Sequence, residues 1–291
     1  MHMKIQYNLP NIQRTILYAR LAELMLINPE IFYDDFEINC VYGNFSSCIW
    51  DGGGVDILPT WRVDMIQQTV QLYKELNFPI CLTFTNPLID ETHLNDIYSN
   101  MIASICEDEN NQILVASPIL EDYLRNKYPK YKYCRSIVAS QKKPYDADPK
   151  YYKSVLQRAK NNDWDYLNAI PQEHREKIEI LCNDPCPDNC PFTYSHYLQH
   201  GSYQLALGNC ESNGQECAMS NAIGQNSLHY AMTTKAYITH DDIVNKYLPK
   251  GFCQFKLAGR DGSMILPAVV LVQYLVKPEY MWDALVQLMQ S

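Results

Sequence analysis

The stretch TWRVDMIQQTVQLYKELNFPICLTFT, residues 60–85, contains both elements of a repeating unit. Its first part, residues 60–77, places Val63, Ile66, Val70 and Tyr73 at helical spacing. Its second part, residues 79–85, is a short run of apolar and β-branched residues, as a buried strand requires. The same alternation extends outward in both directions. Upstream, residues 36–42 read as a strand, followed by a loop over 43–59 that holds Gly52, Gly53 and Gly54. Downstream come a helix over 90–107, a strand over 112–117, a helix over 120–127 and a strand over 133–139. A helix over 148–161, opened by Asp148-Pro149, and strands over 165–169 and 178–181 continue the series.

Strands that alternate with helices at this spacing form βα units and a parallel sheet. Six or more such units, with no Gly-x-Gly-x-x-Gly after the first strand, favour an α/β fold of the TIM-like (β/α) barrel type. An open doubly wound sheet is the alternative. Residues 1–291 read as a single barrel domain, with neither a low-complexity linker nor a repeat at solenoid spacing. The segment 182–231 differs from the rest. It is rich in Cys, Asn, Gly and Ser and reads as one long loop, which in a compact domain is usually functional.

The 291 residues carry a net charge of −9, against the basic face expected of a bare nucleic-acid binder. No apolar run reaches the roughly 18 residues of a membrane span. The first twenty residues lack the charged-then-apolar layout of a signal peptide, so the expectation is a cytoplasmic protein. In a reducing compartment its 11 cysteines are thiols or ligands rather than disulfides. The substrate is not legible, and assembly with like or unlike chains is left open.

Cys182, Cys186 and Cys190 lie in LCNDPCPDNCPF, immediately after a predicted strand. Cys210 and Cys217 follow in the same loop, and Cys253 comes later in GFCQFKL. Four thiolates suit a [4Fe–4S] cluster or a tetrahedral zinc, and Cys186, Cys190, Cys210 and Cys217 are the candidate set. Cys182 and Cys253 are left open as substitutes. Cys81, Cys106 and Cys134, on apolar elements, read as buried packing residues.

Among other residues, Asp51 follows a predicted strand and is a candidate for positioning substrate or moving a proton. Lys256 and Arg260, at the end of a late strand, suit an anionic group, or else a structural salt bridge at the barrel mouth. His196 and His200 are four apart and would share a helix face, but without His-Glu-x-x-His they read as surface residues. No Gly-x-Ser-x-Gly elbow occurs.

The segment IEILCNDPCPDNCPFTYSHY, residues 178–197, resembles a motif of bacterial barrel proteins related to the collagenase-like peptidases, family U32. Residues 41–54 (VYGNFSSCIWDGGG), 247–260 (YLPKGFCQFKLAGR) and 277–280 (KPEY) are similar to further segments of the same family, in the same order. The chain departs from it in lacking a longer Glu-x-Phe-x-x-Gly cysteine motif and in the spacing of its downstream cysteines. The resemblance implies a TIM-like barrel and a [4Fe–4S] cluster on four cysteines. It also implies redox chemistry such as oxygen-independent hydroxylation of a small molecule, RNA base or peptide. A structural-zinc barrel with a binding role is the second expectation, and peptide hydrolysis the third.

Overall fold

A computed structural model describes residues 3–52, 59–139, 143–187, 190–209, 227–259 and 265–290. Eight parallel strands close into a barrel: β1 (Ile5–Pro10), β2 (Phe36–Gly43), β3 (Ile80–Phe84), β4 (Gln112–Val115), β5 (Lys132–Arg135), β6 (Lys153–Val155), β7 (Ile178–Leu181) and β8 (Gln254–Lys256). Each strand pairs with the next in sequence, and β8 returns to β1 through Asn8 opposite Lys256. The expected TIM-like barrel is therefore the observed fold. Among the described residues, no helix is long and apolar enough to cross a membrane.

The element-level reading needs several corrections. A strand that the sequence reading did not identify, Ile5–Pro10, precedes the one over 36–42 and forms β1. The expected helix over 148–161 is instead β6, followed by a turn at Arg158–Lys160. The expected strand over 165–169 is a helix, Trp164–Ala169, begun by Asp163, whose carboxylate accepts the Tyr166 N–H at 3.1 Å. The helix expected over 90–107 is a turn at Glu91–His93 and then a helix, Ile97–Ile105, capped separately by Asp96. The strand expected over 133–139 ends at Arg135. Within 182–231, read as one long loop, Thr193–Leu205 forms a helix of 13 residues, and Ser227–Thr233 is a second.

Alternation along each strand separates two environments. Outward-facing Ile5, Tyr7, Leu9, Ile80, Leu82, Ile178, Ile180 and Phe255 bury an apolar layer under the surrounding helices. The inward residues form layers of four from alternate strands, as barrels of this type do. Reading up the pairing, the even strands supply Cys40, Gln112, Lys153 and Gln254. Above them the odd strands supply Asn8, Cys81, Cys134 and Glu179. The even strands then supply Tyr42, Leu114, Val155 and Lys256. A register shift in β2 opposite Tyr7 and Asn8 adds Asn39, whose amide donates inward to Asn8 at 2.8 Å and to Gln254 at 3.1 Å.

Branched aliphatics usually fill such layers. Here the lower two are polar or thiol-bearing, and their groups partner one another. Lys153 Nζ lies 2.5 Å from Glu179 and donates to Asn8 Oδ1 at 2.7 Å, with both charged side chains almost fully enclosed. Burial works against the Lys153 charge, but Cys40 and the Glu179 carboxylate beside it outweigh that and hold it well above the ordinary lysine value.

Candidate active site

The upper layer of the barrel is the floor of a cavity of about 350 Å³ at the C-terminal mouth. Tyr42, Leu114, Val155 and Lys256 line it from below. The next inward residues of the odd strands, Thr83, Ser136 and Leu181, line its sides. This is the end at which barrels of this class carry their reactive groups, and the volume suits a small molecule. Leu266 and Val270, from the helix Leu266–Leu275, add an apolar wall.

Lys256 is nearly buried and is held from two sides. Its Nζ sits 3.9 Å above the Tyr42 ring and 3.6 Å from Glu179 Oε1. Tyr42 is itself fixed by its hydroxyl, which donates to the Leu257 carbonyl at 2.7 Å. Glu179 Oε1 accepts no hydrogen bond among the described residues, so Lys256 meets it through charge rather than through a hydrogen bond.

A neighbouring wall is the loop after β7. Asn183 stitches it to the exit of β8, donating to the Ala258 carbonyl at 3.1 Å and accepting the Ala258 N–H at 2.6 Å. Asp184 accepts the Cys186 N–H at 3.0 Å and pairs with Arg158 at 2.7 Å, and Arg158 also donates to the Pro187 carbonyl. Asp184, Pro185 and Cys186 line the cavity. Burial and the Asp184 carboxylate push the Cys186 thiol up to about 12, so a metal arriving there would have to displace a proton. Cys190 is half-buried at the foot of the helix Thr193–Leu205, where its carbonyl accepts from the Thr193 hydroxyl at 2.9 Å.

The structure sorts the remaining candidates. Cys210, Cys217 and Arg260 lie outside the described residues. Asp51 is buried and accepts the Thr83 hydroxyl at 2.6 Å, which places it behind the cavity wall rather than on it. Gly52, beside it, lines the cavity and is required by space, since a Cβ there would meet the Thr85 carbonyl oxygen at 2.6 Å. Cys182 faces outward into the apolar layer, and Cys253 precedes β8 at the other end of the barrel. Neither belongs to the wall that holds Cys186. His196 and His200 share a helix as expected, with ring centroids 5.7 Å apart.

Sequence reasoning missed the Lys153–Glu179 pair and the grouping of Cys40, Cys81 and Cys134 inside the barrel. Hydrogen bonds from Cys134 and Cys40 lower the Cys81 thiol well below its ordinary value, whereas burial raises Cys40 and Cys134. Strand alternation could have shown Lys153, Glu179 and the cysteines sharing the inner face, had β6 been recognised as a strand. As for metal chemistry, Cys186 and Cys190 supply two of the four candidate donors. Among the described residues no group of three or more His, Cys, Asp or Glu gathers to hold an ion.

No protein-family model matches the chain, and no curated protein matches it. The barrel is similar to the solved structure of the U32 peptidase Mk0906, with a TM-score of 0.50 at 11% identity, over 89% of this chain and 94% of that one. At that identity the likeness is one of fold. It agrees with the U32-like barrel that the sequence motifs imply.

Proposed function

We propose that this chain is a barrel enzyme acting on a small, partly apolar acid held at the mouth. In this reading the loop after β7 carries an iron–sulfur cluster beside the substrate. The observation that carries the reading is that Lys256 and Cys186 line the same cavity of about 350 Å³, one on the floor and one on the wall. Lys256 offers a cation to an acidic group, and the neighbouring aliphatic side chains shield that contact from water. The hydroxyls of Thr83 and Ser136 line the same cavity, Thr83 oriented by buried Asp51. Cys186 and Cys190, with Cys210 and Cys217, are the proposed ligands. A cluster bound there supplies one-electron chemistry, as oxygen-independent hydroxylation of a small molecule or base requires. The protein's own part is to bind, orient and dehydrate the substrate.

A structural zinc in the same loop is the competing reading of the thiols. Peptide hydrolysis enters through the name of the fold neighbour, although the described residues lining the cavity include no histidine to serve as a general base. The deciding experiment is iron, sulfide and zinc analysis with a visible spectrum on protein purified without oxygen. About four irons and four sulfides per chain, with absorption near about 400 nm, support the redox reading. Stoichiometric zinc in a colourless protein supports the structural one. A metal-free chain that cleaves peptides would overturn both.

A further inference from the structure

The N-terminal end of the barrel, opposite the mouth, opens into a second cavity of about 480 Å³. Its floor is the amide pair Gln6 and Gln254, which hydrogen-bond to each other and close off the barrel interior. Strand alternation aims Lys132 of β5 and Lys177, just before β7, along the same inner face as Gln6. Arg125 and Lys150 complete a ring of four cations around the opening.

Glu176 is the carboxylate among the lining residues, with Glu121 and Glu107 acting on Tyr133 and Glu37 on Cys253 from outside the lining. Glu121, nearly buried behind the wall, takes Arg125 at 2.9 Å and Lys150 at 3.1 Å, and also accepts from the Tyr151 hydroxyl at 2.7 Å. Glu176 lies on the rim. Lys132 and Lys177 have no ion pair among the described residues; Lys132 is only set 5.3 Å from the Tyr152 ring. Among the lining residues four cations meet one carboxylate, a local surplus of positive charge on a chain whose net charge is −9. This surplus is concentrated in a concave, tyrosine-walled site with Tyr133 braced under Arg125 at 4.3 Å.

We propose that this lower cavity binds a phosphomonoester, with the phosphoryl group between Lys132 and Lys177 and the organic part against the tyrosine wall. A phosphomonoester carries a charge of about −1.5 to −2 at neutral pH, which suits the two lysines that carry no ion pair among the described residues. The volume exceeds what a bare inorganic ion fills and lies within the range of small-molecule sites. The Gln6 and Gln254 amides provide donors and acceptors for hydroxyl or base edges. Ligand binding here is separate from the mouth and does not depend on its proposed chemistry.

The test is calorimetric titration of the full chain with AMP, ribose 5-phosphate and inorganic phosphate. The variants are Lys177→Gln, Lys132→Gln/Lys177→Gln and, at the other end of the barrel, Lys256→Met. Saturable binding of at least one phosphomonoester is expected, weakened about tenfold per lysine removed and weakened further by salt. Lys256→Met leaves it unchanged. AMP binding more tightly than ribose 5-phosphate assigns the tyrosine wall to a base, and equal affinities assign recognition to the sugar phosphate. Lys177 is exposed and unpaired among the described residues, so the single variant retains the fold and keeps the test valid if the double variant does not. No saturable binding of either phosphomonoester, binding indifferent to Lys177→Gln, or loss in Lys256→Met instead would overturn the assignment.

Discussion

The two faces of the barrel wall obey different rules. Outside, Ile5, Tyr7, Ile180 and Phe255 pack against helices and derive their stability from burial of apolar surface. Inside, an arm's length away along the same strands, Asn8, Cys81, Cys134, Lys153 and Glu179 are buried just as completely but are polar, thiol-bearing or charged. Area burial cannot account for the inner set, because each buried charge costs free energy unless it is paired. The contrast teaches that the outer layer holds the fold, while the inner layers hold Lys256 and the floor of the cavity in place.

The largest expected effect tests the inner face. Lys153→Met leaves Glu179 buried beside only the more distant Lys256, and the expected loss is about 3–5 kcal/mol in urea unfolding. Lys153→Met/Glu179→Leu should recover most of that loss, since removing both charges removes the desolvation cost. A double variant as unstable as the single one would mean that the pair is intrinsically stabilising. On the outer face, Ile180→Ala should cost about 2–5 kcal/mol through a cavity, with no rescue available from any charge change.

A smaller effect sharpens the comparison at a buried carboxylate outside the barrel interior. Burial raises the Glu121 carboxyl, but Tyr151, Arg125 and Lys150 pull it down by more, so it sits below its ordinary value of 4.5. A carboxyl lowered on folding adds stability above the unfolded value, and that stability is lost as pH falls through the folded value. The stability gap between wild type and Glu121→Gln should therefore be full near neutrality and close as the pH drops below about 4.5. Denaturant midpoints measured from pH 7 down to 3 check the sign. A gap that widens in acid would contradict it.

The two faces also explain how much of the molecule could be read beforehand. β3 was legible because Ile80, Leu82 and Phe84 face outward while the inward Cys81 and Thr83 still read as strand formers. β6 was not, because its inward residue is Lys153, and Tyr151-Tyr152-Lys153-Ser154 after Asp148-Pro149 reads as the opening of a polar helix. β1 carries polar Gln6 and Asn8 on its inner face, which hides it in a mixed N-terminal segment. At the site, Lys256 at a strand end and Cys186 in its loop were visible as residue types in the right places. Asp51 was visible too, but its bond to Thr83 rather than to the cavity depends on the loop after β2 folding back over β3. The Lys153–Glu179 contact exists only once β6 and β7 are side by side in the closed barrel.

The central claim is that the thiols of the loop after β7, and not those inside the barrel, hold a metal beside Lys256. It is tested most directly by counting bound metal across a set of cysteine-to-serine variants purified without oxygen. The account predicts loss of metal in Cys186→Ser, Cys190→Ser, Cys210→Ser and Cys217→Ser, and retention in Cys81→Ser, Cys182→Ser and Cys253→Ser. Metal retained in Cys186→Ser and lost in Cys81→Ser would move the site into the barrel and contradict the account.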